Sequence, residues 1–160
     1  MATPIKITPG TGLTIKYNGV FDFEKIYNDL HDWFIANRYG FNEKEHTKKT
    51  KDLGSNLELK WSGDKKIDDY AMYTIDLHLL IEEMNKEGKL DSGKLTIEII
   101  ATVTLDYTNK WSTKPFSNLL HQIYTKYIIK DKINGHYIGG LYGEAVNLQD
   151  TAKALLNLYS

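Results

Sequence analysis

The chain reads as an α+β protein: an antiparallel sheet of about four to five strands, with three helices packed mainly on one of its faces. Two stretches carry the sheet. In Tyr73-Thr74-Ile75-Asp76-Leu77-His78-Leu79 apolar and polar residues alternate, and Leu95 to Leu105 repeats the pattern with Ile100 as its break. Successive strand side chains point to opposite faces, so each stretch has one dry face and one wet face. That is the pattern of an antiparallel sheet covered on one side. Other segments place apolar residues at helical spacing, and strands grouped ahead of the last helices argue against parallel β-α-β winding.

The elements follow in order. Residues 1–12, with Pro4, Pro9, Gly10 and Gly12, read as an irregular lead-in to a single domain over 1–160. Leu13 to Tyr17 is a short strand, and Asn18-Gly19 a turn. Asp22 can cap a helix over 22–38 whose apolar face is Phe23, Ile26, Tyr27, Leu30, Trp33 and Phe34. The polar segment 41–52 is read as a strand with Phe41, Glu43, Glu45 and Thr47 on one side. Gly54-Ser55-Asn56 reads as a turn, 57–61 as a short strand and Ser62-Gly63-Asp64 as another turn. A long strand then follows Asp68-Asp69 toward Ile81, 82–93 is a charged loop, and a second long strand covers 94–107. Pro115 suits the first turn of a helix over 115–133, with Phe116, Leu119, Leu120, Ile123, Tyr124, Tyr127 and Ile128 as its stripe. A glycine-rich connector over 135–143 leads to a last helix, 144–158, that buries Ala145, Leu148, Ala152, Leu155 and Leu156.

Composition narrows the function classes. Hydrophobic residues make up 41% and charged residues 26%, which fits a globular domain. A formal net charge of −1 gives no general electrostatic case for a nucleic-acid or acidic-membrane partner. The absence of cysteine excludes disulfides, thiolate catalysis and Cys-ligated zinc. The start lacks the apolar run of a signal peptide, and no stretch has the length of a membrane span, so a cytoplasmic protein is expected.

Motifs for chemistry are sparse. None of the five histidines sits in an H-E-x-x-H pattern, so neither a metal nor a cofactor is expected. Asp76 and His78 share the wet side of their strand, where acid–base work and a solvated polar face are the competing readings. The acidic pairs Asp68-Asp69, Glu82-Glu83 and Glu43/Glu45 stand among lysines and read as ordinary surface charge. Segment 135–143 follows a helix and matches no phosphate-loop pattern. An enzyme would need several of Asp76, His78, Glu98 and Tyr107 to converge in a cleft, and the balance leans against one. Lys44, Lys48, Lys49 and Lys51, then Lys60, Lys65 and Lys66, lie in sequence near Trp61. Lys48, Lys49, Lys66 and Trp61 are therefore the candidate nucleic-acid set. Lysines on an exposed edge also block unwanted strand pairing.

A wider pattern runs through Phe21-Asp22-Phe23, Tyr27, Asp32-Trp33, Glu58 to Trp61, Asp69-Tyr70, Asp106-Tyr107, Trp111, Tyr124, Tyr127 and Leu155-Leu156-Asn157-Leu158-Tyr159. In this the chain resembles small uncharacterised archaeal proteins. The resemblance implies an intracellular archaeal protein and brings no activity with it. At the level of fold, the sheet and long late helix are similar to helix-grip proteins, in which such a sheet wraps a helix around a ligand cavity.

The leading expectation is thus a non-enzymatic interaction or assembly module, working through an exposed sheet face or edge on a protein partner or a second copy. Its candidate face is Thr74, Asp76, His78, Thr96, Glu98, Ile100 and Thr102, a threonine-rich surface extended by Thr104. One alternative is a small-molecule or lipid carrier with a small apolar ligand between the sheet and the 115–133 helix. Tyr73, Leu77, Ile97, Ile99, Ile123 and Tyr127 would line its pocket. The other is an RNA- or ribosome-associated role for the lysines of 44–66.

Overall fold

The computed structural model describes residues 3–8, 10, 12–105 and 136–157. Six strands form one antiparallel sheet: β1 (Thr3–Lys6), β2 (Leu13–Phe21), β3 (Gly40–Lys51), β4 (Gly54–Lys66), β5 (Ala71–Glu87) and β6 (Leu90–Leu105). The order across the sheet is β1-β6-β5-β4-β3, with β2 also on β6. β1 pairs with Thr102 to Leu105 and β2 with Asp91 to Ile99, so the two lie in series along one edge of β6. The helices among the described residues are α1 (Phe23–Ala36) and α2 (Gly139–Asn157).

The expectation of four to five strands and three helices is therefore corrected to six strands and two described helices; the expected helix 115–133 lies outside the described residues. The causes are local. Part of the supposed lead-in is β1, a strand of 4 residues, too short to show alternation. The supposed loop 82–93 is instead a hairpin: β5 continues to Glu87 and β6 starts at Leu90. A β-bulge between Glu82 and Asn85 hides that continuity by interrupting the alternation, then brings Met84 back to the buried side. β4 runs through both supposed turns around it, and the chain reverses at Asp52-Leu53. A second bulge, between Glu43 and Glu45, changes the sides expected for β3: Glu43 faces with Trp61, whereas Glu45 faces with Lys60.

The inner face of the sheet is apolar across β4, β5 and β6. Leu57 to Trp61 of β4, Tyr73 to Ile81 of β5 and Leu95 to Leu105 of β6 alternate buried residues with half-buried or exposed ones, and the buried set joins Ile15 of β2 in one core. α1 lies over the β3–β4 side. Asp22 caps it by accepting from Lys25 N at 3.1 Å, and Asn37 closes its far end. Asp91, nearly buried, accepts from Phe23 N at 3.3 Å and pairs with Lys86 at 3.0 Å, so a second carboxylate serves the orphan amides there. Ile26, Leu30 and Phe34 are fully buried, each contributing about 1.5–3 kcal/mol.

α2 contacts β2, β6 and α1. It begins at Gly139 rather than at 144, preceded by a π-helical turn over 136–138, so the supposed connector is largely helix. Glycine is permitted there because α2 approaches the sheet closely: a Cβ on Gly140 would stand 2.8 Å from the Tyr73 hydroxyl. Polar contacts fix the helix in place. Trp33 Nε1 donates to Asn147 Oδ1 at 2.8 Å, and Tyr39 Oη to Glu144 Oε2 at 2.7 Å. Lys65 Nζ donates to Glu144 Oε1 at 2.5 Å and lies over the Tyr39 ring. Tyr73 Oη donates to the Tyr137 carbonyl at 2.8 Å, and Tyr137 Oη to Asp68 Oδ2 at 2.5 Å. Among the described residues no helix is long and apolar enough to cross a membrane.

Candidate functional site

Both described helices pack on the inner face, and no described element covers the outer one. The register assembles that outer face row by row. Thr74 stands opposite Thr102, Asp76 opposite Ile100, His78 opposite Glu98 and Leu80 opposite Thr96. The seven residues of the candidate interaction face thus lie together on β5 and β6. β4 adds Ser62 opposite Asp76 and Lys60 opposite His78, and β3 adds Glu45 opposite Lys60. One row across the sheet is therefore Glu45, Lys60, His78, Glu98 and, on β2, Thr14.

Lys60 and His78 stand between Glu45 and Glu98 in this row. Lys60 Nζ lies 3.4 Å from Glu45 and 3.5 Å from Glu58. The Thr47 hydroxyl, donating at 3.1 Å, and then the Lys60 ammonium hold the Glu45 carboxyl below the usual carboxylate range. Glu45 first, then Glu58, raise Lys60 in return. His78 sits between two carboxylates, Nε2 at 3.6 Å from Glu58 and Nδ1 at 3.8 Å from Glu98, distances too long for hydrogen bonds. Beside it is a shallow hollow of about 260 Å³, lined by Lys44, Lys60, Asp76, His78, Glu98 and Ile100 among others. No reacting partner is brought to the His78 imidazole by the described side chains. Among the described residues no group of His, Asp and Glu is placed to hold a metal ion. Tyr107, the remaining member of the candidate catalytic set, lies outside the described residues.

The other candidate residues are placed differently. Tyr73, Leu77, Ile97 and Ile99 belong to the packed core, none more than 4% exposed, while Ile123 and Tyr127 lie outside the described residues. Lys48 and Lys49 are on β3 opposite Leu57 and Asn56, whereas Lys66 ends β4 opposite Met72. Nine residues of strand, about 30 Å, separate the level of Lys48 from Lys66, so they form no single stripe. Trp61 is 2% exposed, its ring against Tyr27 and Phe41, and offers no face for a base to stack on.

Two groups of residues are not assigned to a site by the sequence. Glu45 and Lys60 complete the outer row and Glu58 stands in the next one, opposite Leu80; the alternation through Leu57, Leu59 and Trp61 was the available signal for Glu58 and Lys60. At the inner margin of β3, Tyr27 Oη donates to Glu43 Oε2 at 2.5 Å, and His46 Nδ1 lies 2.9 Å from Glu43 Oε1. That bond to Glu43, helped by burial, pushes the Tyr27 hydroxyl up to about 12. Sequence carries no signal for this cluster, because the bulge that turns His46 inward leaves none.

Fold and site together define an antiparallel α+β protein with one face of its sheet covered by the described helices and a charged row across the other. Comparison with known proteins finds no match: no protein-family model, curated protein or solved structure matches this chain.

Proposed function

We propose that the chain is a non-enzymatic assembly module of the cytoplasm, pairing with a second copy of itself through the outer face of its sheet. The observation that supports this is the row Lys60–His78–Glu98, with β5 at its centre and opposite charges on either side. When two such sheets face each other across a two-fold axis parallel to β5, the β4 column of one copy meets the β6 column of the other. Lys60 then faces the second copy's Glu98, twice over, and Ser62 faces Ile100, while on the axis Asp76 meets its own counterpart with the His78 of each copy one step along the strand. A two-fold interface must be self-complementary in this way. The shared span from Asn56 to Lys66 over five strand widths is roughly 24 Å by 33 Å, comparable to the ~800 Å² per partner of a stable interface. Ile100 and Leu80, both half-buried, supply apolar contact at its middle.

The test is sedimentation equilibrium across a wide concentration range. The unaltered protein should dimerise. Lys60→Glu or Glu98→Lys alone should weaken association about tenfold, near 1.4 kcal/mol, by placing like charges opposite each other. The double variant should recover it, and Ile100→Asp should abolish it. A monomer at every concentration, or association indifferent to these changes, would overturn the reading.

A further inference from the structure

β3 ends the sheet, and among the described residues nothing pairs with its outer edge. Beyond the bulge, Thr47 to Lys51 runs in unbroken register with β4, so one row of backbone donors and acceptors faces outward, an arrangement on which a further strand can form. The edge is also locally basic. Lys44, Lys48, Lys49 and Lys51 are all exposed, and none makes an ion pair among the described residues. The carboxylates within the strand are engaged: Glu43 by Tyr27 and His46, Glu45 by Lys60 and Thr47. A chain with a net charge of −1 thus concentrates unpaired positive charge on one free edge.

We propose that this edge takes an acid-rich extended segment of another protein as an added strand. The charges choose the occupant. Pairing the regular stretch Thr47 to Lys51 antiparallel with that of a second copy centres on Lys49, which then meets its own counterpart, and a shift to centre on Thr50 sets Lys49 against Lys51 twice; like charges directly opposite are unfavourable. An alternating acidic strand carries its carboxylates on one face, so it meets Lys49 and Lys51 on the outer side while completing the backbone ladder. The same lysines therefore exclude self-pairing and select the partner. A nucleic acid would use the lysines but leave the backbone edge idle, and the buried Trp61 gives it no stacking surface. Lys49 stands on the outer side at the margin of the proposed dimer face, so peptide binding is measured at a protein concentration at which sedimentation shows the monomer, which keeps this test independent of dimerisation.

The probe is a fluorescein-labelled peptide of alternating glutamate and threonine, about ten residues long so that it spans Thr47 to Lys51 with margin. Its lysine–threonine counterpart and an oligodeoxythymidine serve as comparators. The acidic peptide should bind, and the other two should not compete with it. Amide exchange at 47–51 should slow about tenfold at saturation, because the edge N–H groups become bonded. Lys48→Glu/Lys49→Glu should weaken the acidic peptide about tenfold or more and admit the basic one. Failure of the acidic peptide to bind, binding without slowed exchange at 47–51, or tighter binding of the oligonucleotide would each overturn the proposal.

Discussion

At Gly63 the sheet has room for a hydrogen and nothing more. A Cβ there would stand 2.7 Å from the Phe34 ring, which packs over β4 from α1. Phe34 is fully buried and holds Tyr39, Phe41 and Trp61 edge-on around it, so it has nowhere to retreat. Gly63→Ala should therefore lower the urea midpoint by the equivalent of about 1–3 kcal/mol through overpacking. An unchanged midpoint would mean that the ring yields freely. Sequence placed this glycine in a turn, since Ser62-Gly63-Asp64 carries turn chemistry. Its real reason is a ring on a helix that ends near residue 36, a contact invisible to any local rule. His78 and Glu98, by contrast, were legible: their side of the sheet follows from strict alternation alone.

The elements were readable where their pattern was uninterrupted. α1 follows the expected stripe because Asp22 and Asn37 punctuate it. β3 and the far end of β5 were harder to read, because bulges shift the alternation by one residue and reverse every side assigned beyond them. α2 starts earlier than its glycines suggest because contacts with β5 and β4 outweigh the roughly 1 kcal/mol helix penalty of each glycine. Glu144 is the main link between those elements, taking the Tyr39 hydroxyl and the Lys65 ammonium on its two oxygens. Glu144→Gln should leave Lys65, largely covered, without a counter-charge and cost about 2 kcal/mol, read from denaturant unfolding. A loss near zero would place the anchoring of α2 elsewhere, in Trp33 and Asn147.

Across the molecule, the hydroxyls of Tyr27, Tyr39 and Tyr73 join the helices and sheet margins, and the fold holds their protons. Tyr27 is raised to about 12 by Glu43, and Tyr73 to about 12 by burial with Glu144 and Asp68 near it. Burial, with Glu144 beside it, takes Tyr39 far above the usual phenol range. The unfolded chain releases these protons near 10, so above that pH the folded state binds more of them. Stability present below pH 10 should then fall as pH climbs toward 12, which urea titrations at successive alkaline pH values would measure. Tyr39→Phe should flatten that decline, and an undiminished slope would remove Tyr39 from the account.

The sequence by itself determined that this is an antiparallel sheet with one dry and one wet face, which residues of the two long strands belong to each, and where the first helix starts and stops. These follow from periods of two and of 3.6 and from caps, all local properties of the chain. Only the tertiary structure decided the number of strands, the two bulges, the placement of β1 and β2 in series on β6, the burial of Trp61 and the exposure of β3 as a free edge. Those depend on which strand meets which, and at what register. Backbone hydrogen bonds and packing between residues far apart in sequence decide that, and no window along the chain contains both partners.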